Sequence, residues 1–263
     1  KVYVAWSKEL SPDADSDSEI LVSSFTEGGW SPPESIPGVD GLVSTVQMVI
    51  LPDGRRVVVW SQCDLHGLTR ESTPDEVFAM ADERDLFYSV YDAGWSTPLP
   101  LAANLGYEGE VDLMIVGGDS VMATWLHKPD GFSVHSMVSV WDGSTWSEPE
   151  SIAQSDQGIS SPQLQRLGTG IVVFWNQDVD PDPDVTTTRL MYSTCDLETF
   201  TWSTPTLFVP LITLAMNLDA TGNQDPGSSP QVIPLGIGLP FGPPDVPEDC
   251  CKCKKFDTVY CGN

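Results

Sequence analysis

A tetrapeptide of the form Trp-Ser-X-Pro occurs four times in this chain, and its recurrence decides the fold. The four copies are Trp30-Ser31-Pro32-Pro33, Trp95-Ser96-Thr97-Pro98, Trp146-Ser147-Glu148-Pro149 and Trp202-Ser203-Thr204-Pro205. A second marker, an apolar run that ends in Trp, returns in step with the first, and its last residues are Trp6, Trp60, Trp125 and Trp175. Two markers that keep the same period indicate one structural repeat present in four copies.

Each repeat is predicted to contain four short strands, which we call a to d. Strand a alternates in polarity, as in residues 46–50, strand b is the run ending in Trp, strand c covers residues such as 86–91, and strand d starts at Trp-Ser-X-Pro. These segments are rich in β-branched and aromatic residues and are bounded by Gly, Pro and Asp, which is typical of strands. A four-stranded antiparallel meander cannot bury both its faces alone, and radial stacking of such sheets solves this. The predicted fold class is therefore all-β, a β-propeller whose blades are these meanders.

The ends of the chain predict how the ring closes. The first repeat starts at strand b, and residues 229–236 resemble residues 161–168, the strand a of the fourth repeat. We expect this C-terminal strand to complete blade one in a ring of four blades. Residues 211–218 are an alternative closing strand, and a larger propeller is a second alternative. The predicted propeller domain is 1–236, followed by a Gly/Pro linker and a Cys/Lys-rich tail at 237–263, and its blades are 1–36 with 228–236, 37–101, 102–152 and 153–208.

The turns between strands c and d carry a family resemblance. They read Ser89-Val90-Tyr91-Asp92-Ala93-Gly94-Trp95 and Ser139-Val140-Trp141-Asp142-Gly143-Ser144-Thr145-Trp146, with a longer version from Ser193 to Trp202. These turns resemble a degenerate Asp-box, the Ser-X-Asp-X-Gly-X-Thr-Trp turn of sialidase-like propellers. The resemblance covers about residues 1–208. It implies that the Asp accepts hydrogen bonds within the turn and that Trp30, Trp95, Trp146 and Trp202 pack between blades.

Sialidase activity does not follow from this resemblance, because fold alone does not imply activity. The family needs three arginines for a substrate carboxylate, a Tyr–Glu nucleophile pair and an early Arg-Ile-Pro motif. This chain lacks Arg-Ile-Pro, and its arginines are scattered over turns, loops and strands at Arg55, Arg56, Arg70, Arg84, Arg166 and Arg189. We therefore expect no sialidase activity.

The charge of the chain excludes two classes of partner. Thirty-eight acidic and twelve basic residues give a formal net charge of −26 over 263 residues. Nucleic acid and anionic membrane surfaces both attract basic patches, so neither is an expected partner. No apolar run approaches the length of about 20 residues that spans a bilayer. A chain that starts at Lys1 is expected to be a processed or excised mature chain, and we predict an extracellular or cell-surface location.

Candidate metal ligands lie in the loops between strands b and c. Alternating carboxylates offer the hard oxygen ligands that Ca²⁺ prefers, although an acidic loop is more often simply solvated. The calcium candidates are Asp13, Asp15, Asp17 and Glu19 in blade one, and Asp178, Asp180, Asp182 and Asp184 in blade four. Nitrogen and sulfur ligands suit a transition metal such as Zn²⁺. The candidates for that second site are Cys63, His66, His127 and His135.

The C-terminal tail concentrates the cysteines. Four of the six lie there, next to lysines, as Cys250, Cys251, Cys253 and Cys261, while Cys63 and Cys195 belong to the repeats. In an oxidising compartment disulfides are expected, but sequence does not give their connectivity. A thiolate metal site is the alternative. The basic tail suits an acidic surface, either of its own propeller or of a neighbouring subunit.

These observations favour a non-catalytic extracellular binding or structural module, steadied by calcium, with no organic cofactor. The expected partner is a protein or glycan at the face formed by the b–c loops, because function favours long loops on a rigid scaffold. One alternative is a glycan-acting hydrolase or lyase that uses carboxylates of the same loops. The other is a structural subunit of a surface assembly, cross-linked through its cysteine tail.

Overall fold

The structure is a computed structural model that describes residues 1–10, 17–64, 73, 75–76, 83–129, 133–168, 170–179 and 188–208, together with the backbone of two short strands, Thr213–Ala215 and Gln231–Ile233. Contacts divide the chain into two units, Lys1–Phe208 and Val209–Asn263. The first unit consists of antiparallel sheets that follow one another in chain order. The prediction of an all-β chain is thus confirmed.

The strands of the first unit fall into four groups, which we call blades one to four. Blade one contains β1 (Val2–Glu9), β2 (Ser18–Thr26), β3 (Gly29–Trp30) and β4 (Glu34–Ser35). Blade two contains β5 (Leu42–Ile50), β6 (Arg56–Cys63), β7 (Arg84–Tyr91) and β8 (Leu99–Ala102). Blade three contains β9 (Tyr107–Gly117), β10 (Ser120–Lys128), β11 (Val134–Trp141) and β12 (Glu150–Ser155). Blade four contains β13 (Ile159–Leu167), β14 (Gly170–Asp178), β15 (Thr188–Asp196), β16 (Thr201–Trp202) and β17 (Thr206–Leu207).

The pairing within the blades confirms the predicted repeat. In blades two and three, four strands pair in sequence and antiparallel, while strand d of blade four is split between β16 and β17. Blade one has strands b and c as β1 and β2, and its strand d is likewise split between β3 and β4, both paired to β2. One parallel bridge between Arg84 and Tyr107 joins blades two and three.

A pair of serines fastens strand d to strand c in every blade. The strand-c hydroxyl donates to the backbone oxygen of the Ser in Trp-Ser-X-Pro, as Ser139 does to Ser147 at 2.7 Å. In return the Ser147 hydroxyl accepts from the backbone N–H of Val140 at 3.1 Å. The same two bonds recur for the pairs Ser23–Ser31, Ser89–Ser96 and Ser193–Ser203. The Ser of the tetrapeptide is therefore a structural residue.

The Asp of the c–d turn acts as the resemblance implied in two blades. Asp142 Oδ1 accepts hydrogen bonds from the backbone N–H groups of Ser144 and Thr145 at 2.8 and 2.9 Å. Asp196 does the same for Glu198 and Thr199. These bonds lower the pKa of Asp142, because they stabilise its ionised form.

Three hydrophobic clusters hold consecutive blades together face to face. One lies between blades one and two around Trp60, the next between blades two and three around Trp125, and the third between blades three and four around Trp175. All three indole side chains are completely buried. Alternation along each strand sends one set of side chains to the preceding blade and the other set to the following one. This packing in chain order is the one expected of propeller blades.

The second unit contains one described sheet. Strand β18 (Thr213–Ala215) pairs antiparallel with β19 (Gln231–Ile233). Residues 231–233 belong to the segment that was predicted to complete blade one, and within the described residues β1 pairs only with β2. Completion of blade one by residues 228–236 is therefore not confirmed, and a closed ring of four blades stays a prediction.

Candidate functional site

The candidate site lies where blades two and three meet, at the end of the blades that carries the b–c and d–a loops. Its central residue is Glu108 in β9, which is 1% exposed. Glu108 pairs across the sheet with His127. In blade two the residue equivalent to Glu108 is Val43, which pairs with Gln62. In blade four it is Ile159, which pairs with Gln177. A buried carboxyl group thus replaces an aliphatic side chain in one blade, and such local breaks in a repeat are expected at functional sites.

Two side chains donate hydrogen bonds to Glu108. The indole N–H of Trp125 bonds Oε2, and the amide Nδ2 of Asn104 bonds Oε1 at 3.2 Å. In blades two and four the indole of the equivalent Trp donates instead to the Gln two residues further on, at 3.0 Å for Trp60 and 3.4 Å for Trp175. Blade three has His127 at that position, which leaves the indole to Glu108.

His127 approaches the same carboxyl group from strand b. Its Nδ1 lies 2.8 Å from Oε1 of Glu108, but off the line of a hydrogen bond, so that this buried nitrogen has no hydrogen-bond partner among the described residues. The His127 ring also lies 5.9 Å from that of His135, its cross-strand neighbour. Burial, and then the proximity of His135, lower the pKa of His127. We therefore expect a neutral imidazole beside Glu108 at neutral pH.

Burial raises the pKa of Glu108 to about 7, against the opposing effect of its two hydrogen bonds, and the charge of Asp85 adds to the rise. Burial and the nearby Glu83 also raise the pKa of Asp85. A carboxyl group that holds its proton near neutrality can act as an acid or as a hydrogen-bond donor. Such groups mark functional sites more often than chance would.

A cavity of about 420 Å³ opens beside this cluster. Asn104 lines it and also bonds Glu108, so the amide connects the cavity with the buried carboxyl group. Gly106, at the cavity's edge, has φ +102°, and a Cβ there would collide with the backbone oxygen of Lys128. The cavity offers three carboxylates, two amides and one aromatic ring, contributed by Asp64, Glu83, Asp85, Gln62, Asn104 and Phe87.

The predicted calcium ligands are only partly described. Asp13, Asp15, Asp180, Asp182 and Asp184 lie outside the described residues. Of the others, Glu19 forms an ion pair with Lys8 at 2.9 Å, and Asp17 accepts from the backbone N–H of Gly41 at 3.2 Å. Asp178 ends strand β14. Within the described ranges no three His, Cys, Asp or Glu side chains are grouped to hold a metal ion. Calcium binding by these loops stays a prediction.

Of the four predicted transition-metal ligands, the structure brings two histidines together. His127 and His135 come together as described, and His66 lies outside the described residues. Cys63 is buried at the end of β6, where its thiol faces the backbone oxygen of Leu42 at 3.9 Å.

Cys63 and Cys195 are both buried free thiols. Burial raises the pKa of each, that of Cys195 to about 11. Cys195 packs in the cluster between blades three and four. The tail cysteines, Cys250, Cys251, Cys253 and Cys261, lie outside the described residues, and their pairing stays a prediction.

Four of the five described arginines have contacts that differ from one another. Arg55 pairs with Asp53 and Asp119, Arg84 donates to Ser44, and Arg166 donates to the backbone oxygens of Ile115 and Val116. Arg56 stacks on the ring of Tyr91, with its guanidinium carbon 3.5 Å from the centroid. These four side chains thus do not converge on one substrate carboxylate.

Sequence reasoning identified the loop face and His127 but missed Glu108, Asp85 and Asn104. A signal for Glu108 was present in one blade: counting 17 residues back from the repeated Trp gives Val43 in blade two and Glu108 in blade three, whereas the same count gives Gly158 in blade four. No comparable signal existed for Asp85 and Asn104, because they meet Glu108 from different loops and strands.

No family model and no curated protein matches the chain. Among solved structures it is similar to a Hadza microbial sialidase at 15% identity and a TM-score of 0.47, over 77% of this chain and 43% of that one. A Trypanosoma rangeli sialidase is similar at 12% identity and a TM-score of 0.47, over 73% of this chain and 33% of that one. A Bombyx mori β-fructofuranosidase is similar at 15% identity and a TM-score of 0.42, over 78% of this chain and 46% of that one. The chain therefore spans less than half the length of these three proteins. Similarity at this level assigns no activity, and the fold assignment rests on the strand pairing.

Proposed function

We propose that this chain is a glycan-binding module whose binding pocket is the cavity formed by blade two and the loop that leads from it to blade three. The observation that carries the proposal is the lining of that cavity, to which three carboxylates, two amides and one phenyl ring contribute. Carboxylates and amide oxygens accept hydrogen bonds from hydroxyl groups, and amide N–H groups donate to them. An aromatic face suits the C–H face of a sugar ring, and a concave site with a few convergent polar groups suits a small ligand.

The charges at the pocket narrow the ligand class. Asp64, Glu83 and Asp85 line the pocket, and the chain as a whole carries a formal charge of −26. Anionic sugars would be repelled by these carboxylates. A neutral, hydroxyl-rich glycan is therefore the expected ligand, and an extracellular location agrees with it. No helix long and apolar enough to cross a membrane occurs in the described part of the chain.

A second candidate function is hydrolysis of the bound glycan. The pKa of about 7 for Glu108 favours it, because glycosidases pair one protonated acid with one ionised carboxylate. Asp85, whose charge acts on Glu108, is the candidate for the second group. Against immediate catalysis, Glu108 is 1% exposed behind Asn104. Proton transfer to a substrate would require Asn104 to move aside.

Binding is tested by titrating a panel of neutral oligosaccharides into wild type and an Asp85→Asn variant, with the exposed Glu34→Gln as matched control. A hydrogen bond to a charged group contributes about 1.5–3 kcal/mol, so the Asp85→Asn change should weaken binding by about tenfold or more. The control should bind like wild type. Equal affinity of wild type and Asp85→Asn for every ligand bound would contradict the proposed pocket, as would no binding at all.

Hydrolysis is tested on the same panel by measuring new reducing ends. The second candidate predicts turnover that is lost in Glu108→Gln while binding persists, because Gln keeps the shape of the side chain without its acidic proton. Binding without turnover in wild type would leave the module non-catalytic.

A further inference from the structure

Three interfaces between blades repeat one arrangement. In each, the Trp that ends the apolar run of strand b in the later blade, and residues at the positions two and four before it, face the preceding blade. Eight of these side chains are completely buried: Val58 and Trp60 in blade two, Val121, Ala123 and Trp125 in blade three, and Ile171, Val173 and Trp175 in blade four. The Trp of the tetrapeptide joins them, since Trp95, Trp146 and Trp202 each pack on the cluster shared with the preceding blade.

Blade one presents the same residues at its surface, and none of the three described clusters between blades includes them. Val2 and Val4 occupy the positions four and two before Trp6, and they are 60% and 42% exposed. Trp30, the Trp of its tetrapeptide, is 56% exposed, and Phe25, which packs against it at 5.2 Å, is 44% exposed. Among the described residues, the face that meets a preceding blade in the other three repeats is therefore exposed in blade one.

The exposed face of blade one is concave. A cavity of about 370 Å³ lies on it, lined by Val4, Trp6, Ser23, Trp30, Ser31 and Pro33. Exposed apolar patches of this kind mark interaction sites.

Within the described part of the chain, blade four has an exposed apolar position on its opposite face. Leu190 stands three positions before the strand-c serine and is 38% exposed, whereas its equivalents Ile20, Leu86 and Ser136 are completely buried. Tyr192 is the equivalent of Tyr88, on which Trp146 of the following blade packs edge-on at 5.9 Å. Tyr192 contacts Phe174 and Phe208 of its own blade and segment instead. Among the described residues no Trp of a following blade packs on Tyr192, and Phe208 is the side chain that meets it edge-on.

We propose that these two faces are the halves of one intermolecular interface, in which blade four of one copy of this chain packs on blade one of a second copy. In the assembled state Trp30 lies on Tyr192 as Trp146 lies on Tyr88. If two copies make this contact twice, they close with twofold symmetry into a ring of eight blades, which is within the range known for propellers.

A second copy is favoured over blade four of the same chain. The three described interfaces fix the order of blades one to four, and in that arrangement Val4 and Trp30 on one end face and Leu190 on the other stay exposed. A head-to-tail contact needs complementary surfaces on opposite ends of one molecule, which the repeat supplies without any further requirement.

The test is sedimentation velocity of the full chain at micromolar concentrations with reductant, so that tail cysteines cannot link copies. We expect a dimer. Val4→Asp and Leu190→Asp each place a charge in one half of the interface, and each should weaken dimerisation by about 100-fold. Leu105→Asp, at an 89% exposed position away from both faces, is the matched control. Trp30→Gln is a second variant for the same half as Val4, and circular dichroism checks that every variant folds.

Mixing the two variants tests whether the contact joins blade four of one copy to blade one of another. The Val4→Asp chain keeps an intact blade four and the Leu190→Asp chain keeps an intact blade one, so an equimolar mixture should regain dimers through one interface. A wild-type monomer in which Trp30 is shielded from acrylamide would show closure within one chain and overturn the proposal. A monomer with Trp30 accessible, or variants that remain dimeric, would overturn it equally.

Discussion

Replacing Glu108 with Gln should remove one well-defined source of pH-dependent stability. Burial raises the pKa of Glu108 from 4.5 to about 7, so the folded protein holds a proton that the unfolded chain releases between these values. A raised pKa contributes stability that is complete below pH 4.5 and is lost as the pH rises through 7. Each pKa unit corresponds to about 1.4 kcal/mol, so the full loss is about 3 kcal/mol, of which between about 2 and 3 kcal/mol falls between pH 5 and pH 8.

The measurement is urea unfolding of wild type and Glu108→Gln at pH 5, 6, 7 and 8. Many other carboxylates titrate in this chain, so the informative quantity is the difference between the two free energies of unfolding at each pH. From pH 5 to pH 8 we expect the free energy of unfolding of Glu108→Gln to rise relative to that of wild type by between about 2 and 3 kcal/mol. Gln keeps an acceptor for Trp125, so the variant should fold. The exposed Glu34→Gln should run parallel to wild type. Parallel curves for Glu108→Gln would refute the reasoning.

Three further predictions concern the scaffold and its ions. Gly106→Ala should lower the free energy of unfolding by about 2 kcal/mol or more, because a side chain at φ +102° is strained and its Cβ meets the backbone oxygen of Lys128. The control in thermal unfolding is Gly94→Ala, where nothing lies near the added Cβ. Ser139→Ala should cost about 1–2 kcal/mol, since it removes the buried donor to the backbone oxygen of Ser147, and an equal cost for the exposed Ser144→Ala would contradict the role given to the pair. If the acidic loops bind Ca²⁺, a calcium concentration about 100 times its Kd should add about 3 kcal/mol and raise Tm by about 5–10 °C, and chelator should reverse this; an unchanged Tm would leave the loops without calcium.

The strands and their order could be predicted from sequence because each repeat carries the same local sequence pattern and places it in the same tertiary contacts. Each strand b is an apolar run closed by Trp, and each strand d follows a Trp-Ser-X-Pro that binds a strand-c serine, so local pattern and tertiary role coincide four times. The hydrogen bonds of Asp142 in its turn were predictable for the same reason, since they involve only its own near neighbours.

The sequence by itself determined an all-β chain of four similar sheets and a net charge of −26, from which we expect neither a nucleic acid nor an anionic membrane as partner. Only the tertiary structure decided where the chemistry lies. Glu108, Asn104, Asp85 and Trp125 come from different strands and loops, and the raised pKa of Glu108 arises from burial that no local pattern encodes. The open faces also needed the structure, because Val4 and Val173 look alike in sequence and differ only in whether another sheet lies against them.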